Sequence, residues 1–399
     1  MFNRPFADSI LLAALITAGA AGAEADGEAR KTHQPTEFAI IYNMGYAGDH
    51  LPPDPHDFEK LILACRDAHY NVVLCKYTNQ RAEICRKHGM KIMVDLLVGD
   101  HHVYKNPDAA KALCESLRDS DVVYAYHLWS DRVGGTVAGR NRDVANVHQW
   151  DPNHPAYVGD YHARAIGSLE NPGLIGYYDF HWKRLGHFRH LHRAWAATQN
   201  TKVPFLKYAD GAPGKIGAGN YNRVLYTIST SIAFGLKGYT YHHVDDIDTQ
   251  TWEWRALGND LKRVNAEVAP LGPELMKIGL PTAVYSTPMT KTAKDRPTGS
   301  EQPIVPPEFQ PFPKDHWLEV AGGEVIIGVF RDGQGRDALV LANHNCYQTQ
   351  VVELRFKVLV KAVRRFDRQQ SEWVDLAERT SVVRFEVPPA AGELVRVVR

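Results

Sequence analysis

The chain has no surplus of either charge: 46 lysines and arginines stand against 46 aspartates and glutamates. A balanced protein sets up no field that gathers polyanions, and no basic patch with interleaved aromatics breaks that balance. Nucleic acid is therefore not an expected partner. Past the opening segment no apolar run is long enough to cross a bilayer, so no membrane span is expected. Cysteine is scarce and odd in number. Cys65, Cys75, Cys85, Cys114 and Cys346 form no C-x-x-C pair, and buried thiols acting as small hydrophobes explain them better than a disulfide framework. Glycine is not scarce, yet no phosphate-binding loop occurs. Gly211, Gly214, Gly217 and Gly219 have a spacing unlike dinucleotide or P-loop signatures and read as a mobile lid after the seventh strand. No cofactor is expected.

What is present is an ordinary globular composition, 44% apolar and 23% charged, over 399 residues. That length suffices for two domains and a sizeable core. Residues 1–23 read as an export signal. Arg4 supplies the positive start, Ile10 to Ala18 the apolar stretch and Ala21-Gly22-Ala23 the cleavage site. The mature chain is expected to begin near Glu24 and to be periplasmic or secreted, with 24–36 a polar, flexible leader.

Between Glu37 and Val244 a unit of short apolar strand, polar turn and helix recurs eight times. The strands are expected at Phe38–Tyr42, Asn71–Cys75, Lys91–Leu97, Val122–Leu128, Ala156–Gly159, Leu174–Asp179, Val203–Tyr208 and Gly238–His243. Helices are expected from Pro55, up to His88-Gly89, from Pro107, over Gly186–Gln199 and Tyr221–Gly235, and a closing one over Trp252–Val268. Arg132 to Asn153 reads as a polar insertion. Continuous apolar strands suit a parallel sheet buried on both faces, and eight such units in roughly 250 residues favour closure. The fold class expected is therefore α/β, a (β/α)8 TIM barrel over 37–280. A linker rich in Pro, Thr and Ser follows over 281–315. Residues 316–399 change to alternating β runs, Val351–Phe356 and Val358–Phe366 among them, and read as a C-terminal antiparallel β-sandwich that braces the barrel or binds carbohydrate.

Three stretches carry a resemblance. Ile232 to Tyr239 is similar to a helix-to-last-strand passage, Leu261 to Glu267 with Leu271 to Leu275 to a closing helix, and Pro388 to Val395 to the last strand of an appended sandwich. Together they resemble the (β/α)8-barrel glycoside hydrolases, in particular the family 42 β-galactosidase-like proteins. The resemblance implies a carbohydrate substrate. It also implies a glutamate acid/base after strand four and a glutamate nucleophile after strand seven. Here those positions read Ser130-Asp131 and Ala209-Asp210, so the usual catalytic glutamates are missing.

The active site of such a barrel is built where the βα-loops converge, at the C-terminal ends of the strands. Glycosidic cleavage needs two carboxyl groups flanking the bond, and Asp131, Asp179 and Asp210 stand at that end. Asp131 precedes Arg132, and Asp179 lies among Tyr177, Tyr178, Phe180 and Trp182. Trp129, Tyr178 and Trp182 offer flat rings to a sugar face, while Trp252 and Trp254 are expected to pack the last helix onto the barrel. His181, Lys207, His242 and His243 complete the substrate-binding set. Two other readings stay open: a catalytically silent glycan-binding barrel, and a metal-dependent hydrolase or lyase using rim histidines. No metal ligand is assigned.

Overall fold

Each strand of the first domain is a run of four to seven residues rich in apolar and aromatic side chains. In the computed structural model, which describes residues 35–43, 51–129, 136–161, 166–178, 186–210, 220–242, 246–287 and 312–399, these runs form β1 (Ala39–Tyr42), β2 (Val72–Cys75), β3 (Lys91–Asp95), β4 (Val123–Trp129), β5 (Ala156–Tyr161), β6 (Leu174–Tyr178), β7 (Phe205–Asp210) and β8 (Leu236–His242). All neighbours pair in parallel, and β8 returns to β1 through Ala39↔Gly238, Ile40↔Tyr239 and Ile41↔Thr240. The sheet closes, as the eightfold repeat predicts.

Alternation sorts the side chains. Ala39, Ile41, Leu74, Met93, Tyr157 and Leu206 belong to a core that fills the lumen. Their strand neighbours Ile40, Tyr42, Val73, Cys75, Ile92 and Val94 belong to the larger core under the helices. Two glycines make room for this packing. A Cβ on Gly176 would stand 1.7 Å from the Tyr157 hydroxyl, and one on Gly238 would stand 2.5 Å from both Leu206 Cδ2 and the Ala39 carbonyl oxygen.

The helices start where the sequence places capping residues. Asp54 accepts from the backbone N–H groups of His56 and Asp57 ahead of α1 (Pro55–Asp67), and proline takes the first helical position. Thr78 caps α2 (Asn79–Lys87), and Asn106 caps α3 (Pro107–Ser116). The stretch read as a polar insertion contains a helix, α4 (Val137–Trp150), capped by Thr136 and burying Val144, Val147 and Trp150. Its apolar stripe is thin and interrupted by Arg140, Asn141 and Arg142, which hid the period. The outer layer continues with α5 (Gly186–Thr201), α6 (Tyr221–Ala233), α7 (Ala256–Val268) and α8 (Gly272–Lys277). All five cysteines are free and buried, and burial pushes the Cys75 thiol up to about 12.

The C-terminal region is one antiparallel sheet of seven strands. Its order is β10 (Leu318–Ala321), β13 (Gln350–Asp367), β15 (Gly392–Val398), β12 (Asp337–Asn343), β11 (Val325–Arg331) and β9 (Ala283–Ser286), with β14 (Glu372–Val387) paired to β13. It is sandwich-like because it curls around its own core of Leu318, Ile327, Leu341, Leu354, Phe385 and Val395. β9 lies within 281–315, so part of the expected linker is an edge strand pairing with β11 through Ala283↔Val329 and Val284↔Gly328. The two runs read at Val351–Phe356 and Val358–Phe366 are one strand, β13, carrying a register shift between Arg355 and Val360.

The opposite face of the sheet lies on α6. Ile326, Phe330, Val340 and Leu394 join the helix-layer core, which explains why every residue of α6 from Val224 to Ala233 is buried. A Cβ on Gly328 would stand 2.1 Å from the Ala233 carbonyl oxygen. Polar anchors fasten the rest. Tyr226 OH lies 2.8 Å from His344 Nδ1, Arg368 pairs with Glu267 at 3.0 Å, and Glu274 accepts from Trp373 Nε1 at 3.0 Å and from Arg396 at 3.4 Å. No helix among the described residues is long and apolar enough to cross a membrane.

Candidate active site at the barrel rim

The strand register fixes which residues share the C-terminal rim. Asp210 and His242 are the last residues of β7 and β8 and are partners across those strands. Tyr178 ends β6 opposite Tyr208, and Trp129 ends β4 opposite Val158. Four of the expected site residues therefore occupy strand ends of one rim by backbone position. Asp131, Asp179, His181, Trp182 and His243 lie outside the described residues, as does the glycine-rich stretch 211–219.

Lys207 departs from the expected set. Its neighbours Leu206 and Tyr208 belong to the lumen core, whereas Phe205 and Ala209 face the helices. Lys207 shares the parity of the latter pair. It is fully buried, donates to Tyr177 OH at 3.2 Å and lies 3.4 Å from His187 Nδ1 on α5. His187 Nε2 in turn lies 3.0 Å from Thr230 Oγ1 on α6. Proximity to a strand end made Lys207 look like a rim residue, but the period of two turns it under the helix layer. It ties β6 and β7 to α5.

Beneath the rim the lumen is more polar than the sequence suggested. Asp95 ends β3 and His127 lies opposite it in β4. Asp95 Oδ1 accepts from the Leu97 N–H at 2.9 Å and lies 3.2 Å from His127 Nδ1. The His127 ring is 5.3 Å from that of Tyr157, and Tyr157 is 6.4 Å from Tyr208, so imidazole and phenols line one wall. Lys76, just past β2, reaches Asp100 at 3.4 Å on the outer lip of the rim. Close by, Tyr104 OH donates to the Leu128 carbonyl at 2.6 Å, and burial raises the Tyr104 phenol well above its ordinary value. Burial, helped by Lys105, holds His102 below the usual imidazole range.

Sequence reasoning missed the Asp95–His127 pair because its members lie 32 residues apart. The available signal was that both lie near the C-terminal ends of consecutive strands; Gly176, a glycine inside a strand, marks close approach by another group, here the Tyr157 hydroxyl. Trp254, by contrast, packs as expected. It stacks on Tyr70 at 6.0 Å and meets Tyr42 edge-on at 6.2 Å, sealing the helix layer beside β1.

Fold and strand-end chemistry together define an α/β barrel, a (β/α)8 TIM barrel with an appended antiparallel sandwich-like sheet and a polar C-terminal rim. No protein-family model and no curated protein sequence matches the chain. Among solved structures, it is similar to a provisionally described alpha-galactosidase from Bacteroides fragilis NCTC 9343, with 12% identity over 92% of this chain and 80% of that one, at a TM-score of 0.49. It is also similar to a noncanonic maltogenic alpha-amylase from Thermotoga neapolitana, with 10% identity over 90% and 99% of the two chains at 0.47. A third is the GH51 arabinofuranosidase from Xanthomonas axonopodis pv. citri, with 10% identity over 92% and 98% at 0.46.

Proposed function

We propose that the protein is an exported O-glycosyl hydrolase that cleaves an oligo- or polysaccharide at the C-terminal rim of its barrel. The observation that carries this reading is the register pairing of Asp210 with His242 at the ends of β7 and β8, above a lumen walled by Tyr157, Tyr208 and His127. An aspartate and a histidine at partnered strand ends of one rim are residue types suited to holding a sugar and attacking its anomeric carbon. Asp131 or Asp179 would protonate the glycosidic oxygen, and Asp210 would act as nucleophile or as base for water. Trp129, Tyr178, His181, Trp182, His242 and His243 would orient the ring. Carboxyl groups about 5–5.5 Å apart would retain anomeric configuration, and a gap of about 6.5–9.5 Å would invert it. Export rests on the signal-like residues 1–23.

A second reading is a glycan-binding barrel without hydrolysis. It is favoured by the strand ends themselves, since β4 and β7 finish in Trp129 and Asp210 and neither in glutamate. An oligosaccharide cleavage screen separates the two, run on the full chain beside its Asp131→Asn, Asp179→Asn and Asp210→Asn variants. Hydrolysis lost in two folded variants identifies the carboxylate pair. Binding without cleavage by the wild type selects the second reading.

A further inference from the structure

The floor of the rim contains acceptors that have nothing to accept from among the described residues. The side chains of Asp95 and His127 are 0% and 1% exposed. Asp95 Oδ1 is occupied by the Leu97 N–H and by His127 Nδ1, but among the described residues Asp95 Oδ2 and His127 Nε2 meet no partner. Burying a polar atom without a partner is costly, and native proteins rarely leave one so without cause. Here two such atoms belong to one bonded pair.

Their chemistry is specific. A carboxylate held at Nδ1 selects the tautomer with its proton there, which leaves a lone pair on Nε2. Both vacant positions are then acceptors, and both call for a donor. By alternation with Met93 and Ala125, members of the lumen core, Asp95 and His127 face the lumen. Asn43, which follows Ile41 on the same parity of β1, is 4% exposed, and its Oδ1 has no partner among the described residues. Thr240 on β8 is 1% exposed, and its Oγ1 likewise has no partner among the described residues. An anion would meet the Asp95 carboxylate and the Nε2 lone pair, and would be repelled. A hydroxyl would satisfy them.

We propose that Asp95 and His127 form a hydroxyl-receiving pair beneath the rim, with Asp95 setting the imidazole tautomer and the pair presenting Oδ2 and Nε2 to a ligand O–H. This rests on the carbohydrate reading above and adds two ligand-contacting residues to it. The glycan's hydroxyl, rather than the carboxylates of the rim, is what these residues recognise.

The test uses the full chain with ¹⁵N-labelled histidine, with His127 assigned by its loss in His127→Gln. Maltotetraose, mannotetraose and galactotetraose serve as probes, and calorimetry follows binding. The free protein should show His127 protonated at Nδ1 and bare at Nε2. A probe that binds should shift the Nε2 resonance toward its hydrogen-bonded position. Asp95→Asn should weaken that binding by about 10- to 100-fold, the loss expected for a charged hydrogen bond, while the melting curve reports that the variant is folded. If Asp95→Asn does not fold, His127→Gln supplies the affinity comparison, and the wild-type Nε2 shift decides in either case. A proton found on Nε2 with Nδ1 bare overturns the pair. A probe that binds while Nε2 stays unmoved overturns the pair but leaves the carbohydrate reading standing. Failure of all three probes to bind removes the carbohydrate reading and this proposal with it.

Discussion

Replacing Lys237 by methionine should flatten the protein's alkaline stability slope. Lys237 lies near the start of β8, is 4% exposed, and its ammonium donates to the Leu275 carbonyl of α8. Burial pulls its pKa from 10.5 down to about 7, because an ammonium loses its hydration there and gains one carbonyl in return. The unfolded chain therefore holds this proton more tightly than the folded one. Below the folded pKa the native state carries the full cost of the buried charge. That cost fades as pH rises and is gone above the unfolded value. Stability from this residue thus increases with pH through the window between about 7 and 10.5. One proton corresponds to about 1.4 kcal/mol per pH unit, so the wild type should gain on the order of 2–3 kcal/mol between about pH 7.5 and 9.5 relative to a chain without the group. Lys237→Met retains the stem and removes the charge. It also leaves the Leu275 carbonyl without its donor, which costs about 1–3 kcal/mol at every pH. The slope is therefore the diagnostic quantity. Urea unfolding of both proteins across that range measures it, and titrations elsewhere in the chain cancel in the difference. Equal slopes would refute the reasoning, since the buried amine would then not be the group that titrates.

Gly176→Ala should lower stability by about 1–3 kcal/mol, the usual cost of overpacking, because its Cβ would stand 1.7 Å from the Tyr157 hydroxyl. An unchanged melting curve would mean that the lumen yields more easily than its packing indicates. Glu274→Ala removes the shared acceptor of Trp373 and Arg396, with Arg396 only 9% exposed. Arg396 keeps Asp332 at 3.7 Å, so the lost acceptor costs about 1–3 kcal/mol, and chemical denaturation should show that loss together with a change in Trp373 fluorescence. Gly328→Ala should separate sheet from barrel more readily, given the 2.1 Å approach to the Ala233 carbonyl. Limited proteolysis that releases no C-terminal fragment faster than in the wild type would contradict this.

The barrel was legible because its signals are local. Each strand is a compact apolar run, and Pro55, Gly89 and Pro107 punctuate the helices at close range. The features that stayed hidden depend on distant partners or weak periods. α4 buries few residues, so its stripe was lost among polar ones. β9 is four residues long and becomes a strand only because β11 pairs with it. The bulge in β13 made one strand read as two. At the site, sequence located the rim through its strand ends but not the direction of each side chain. Lys207 turned toward α5 because parity, rather than closeness to the strand end, decides which face a residue takes. Asp95 and His127 carry chemistry only together, and closure of the barrel brings them together.

The most direct test of the account is the rate at which the full chain cleaves an oligosaccharide found in the screen, compared with its Asp210→Asn variant. The account predicts a loss of about 10²–10⁴-fold or more, the scale of a missing catalytic carboxyl, with superimposable melting curves. Cleavage at the wild-type rate by the folded variant would contradict it, because the residue paired with His242 at the rim would then take no part in the chemistry.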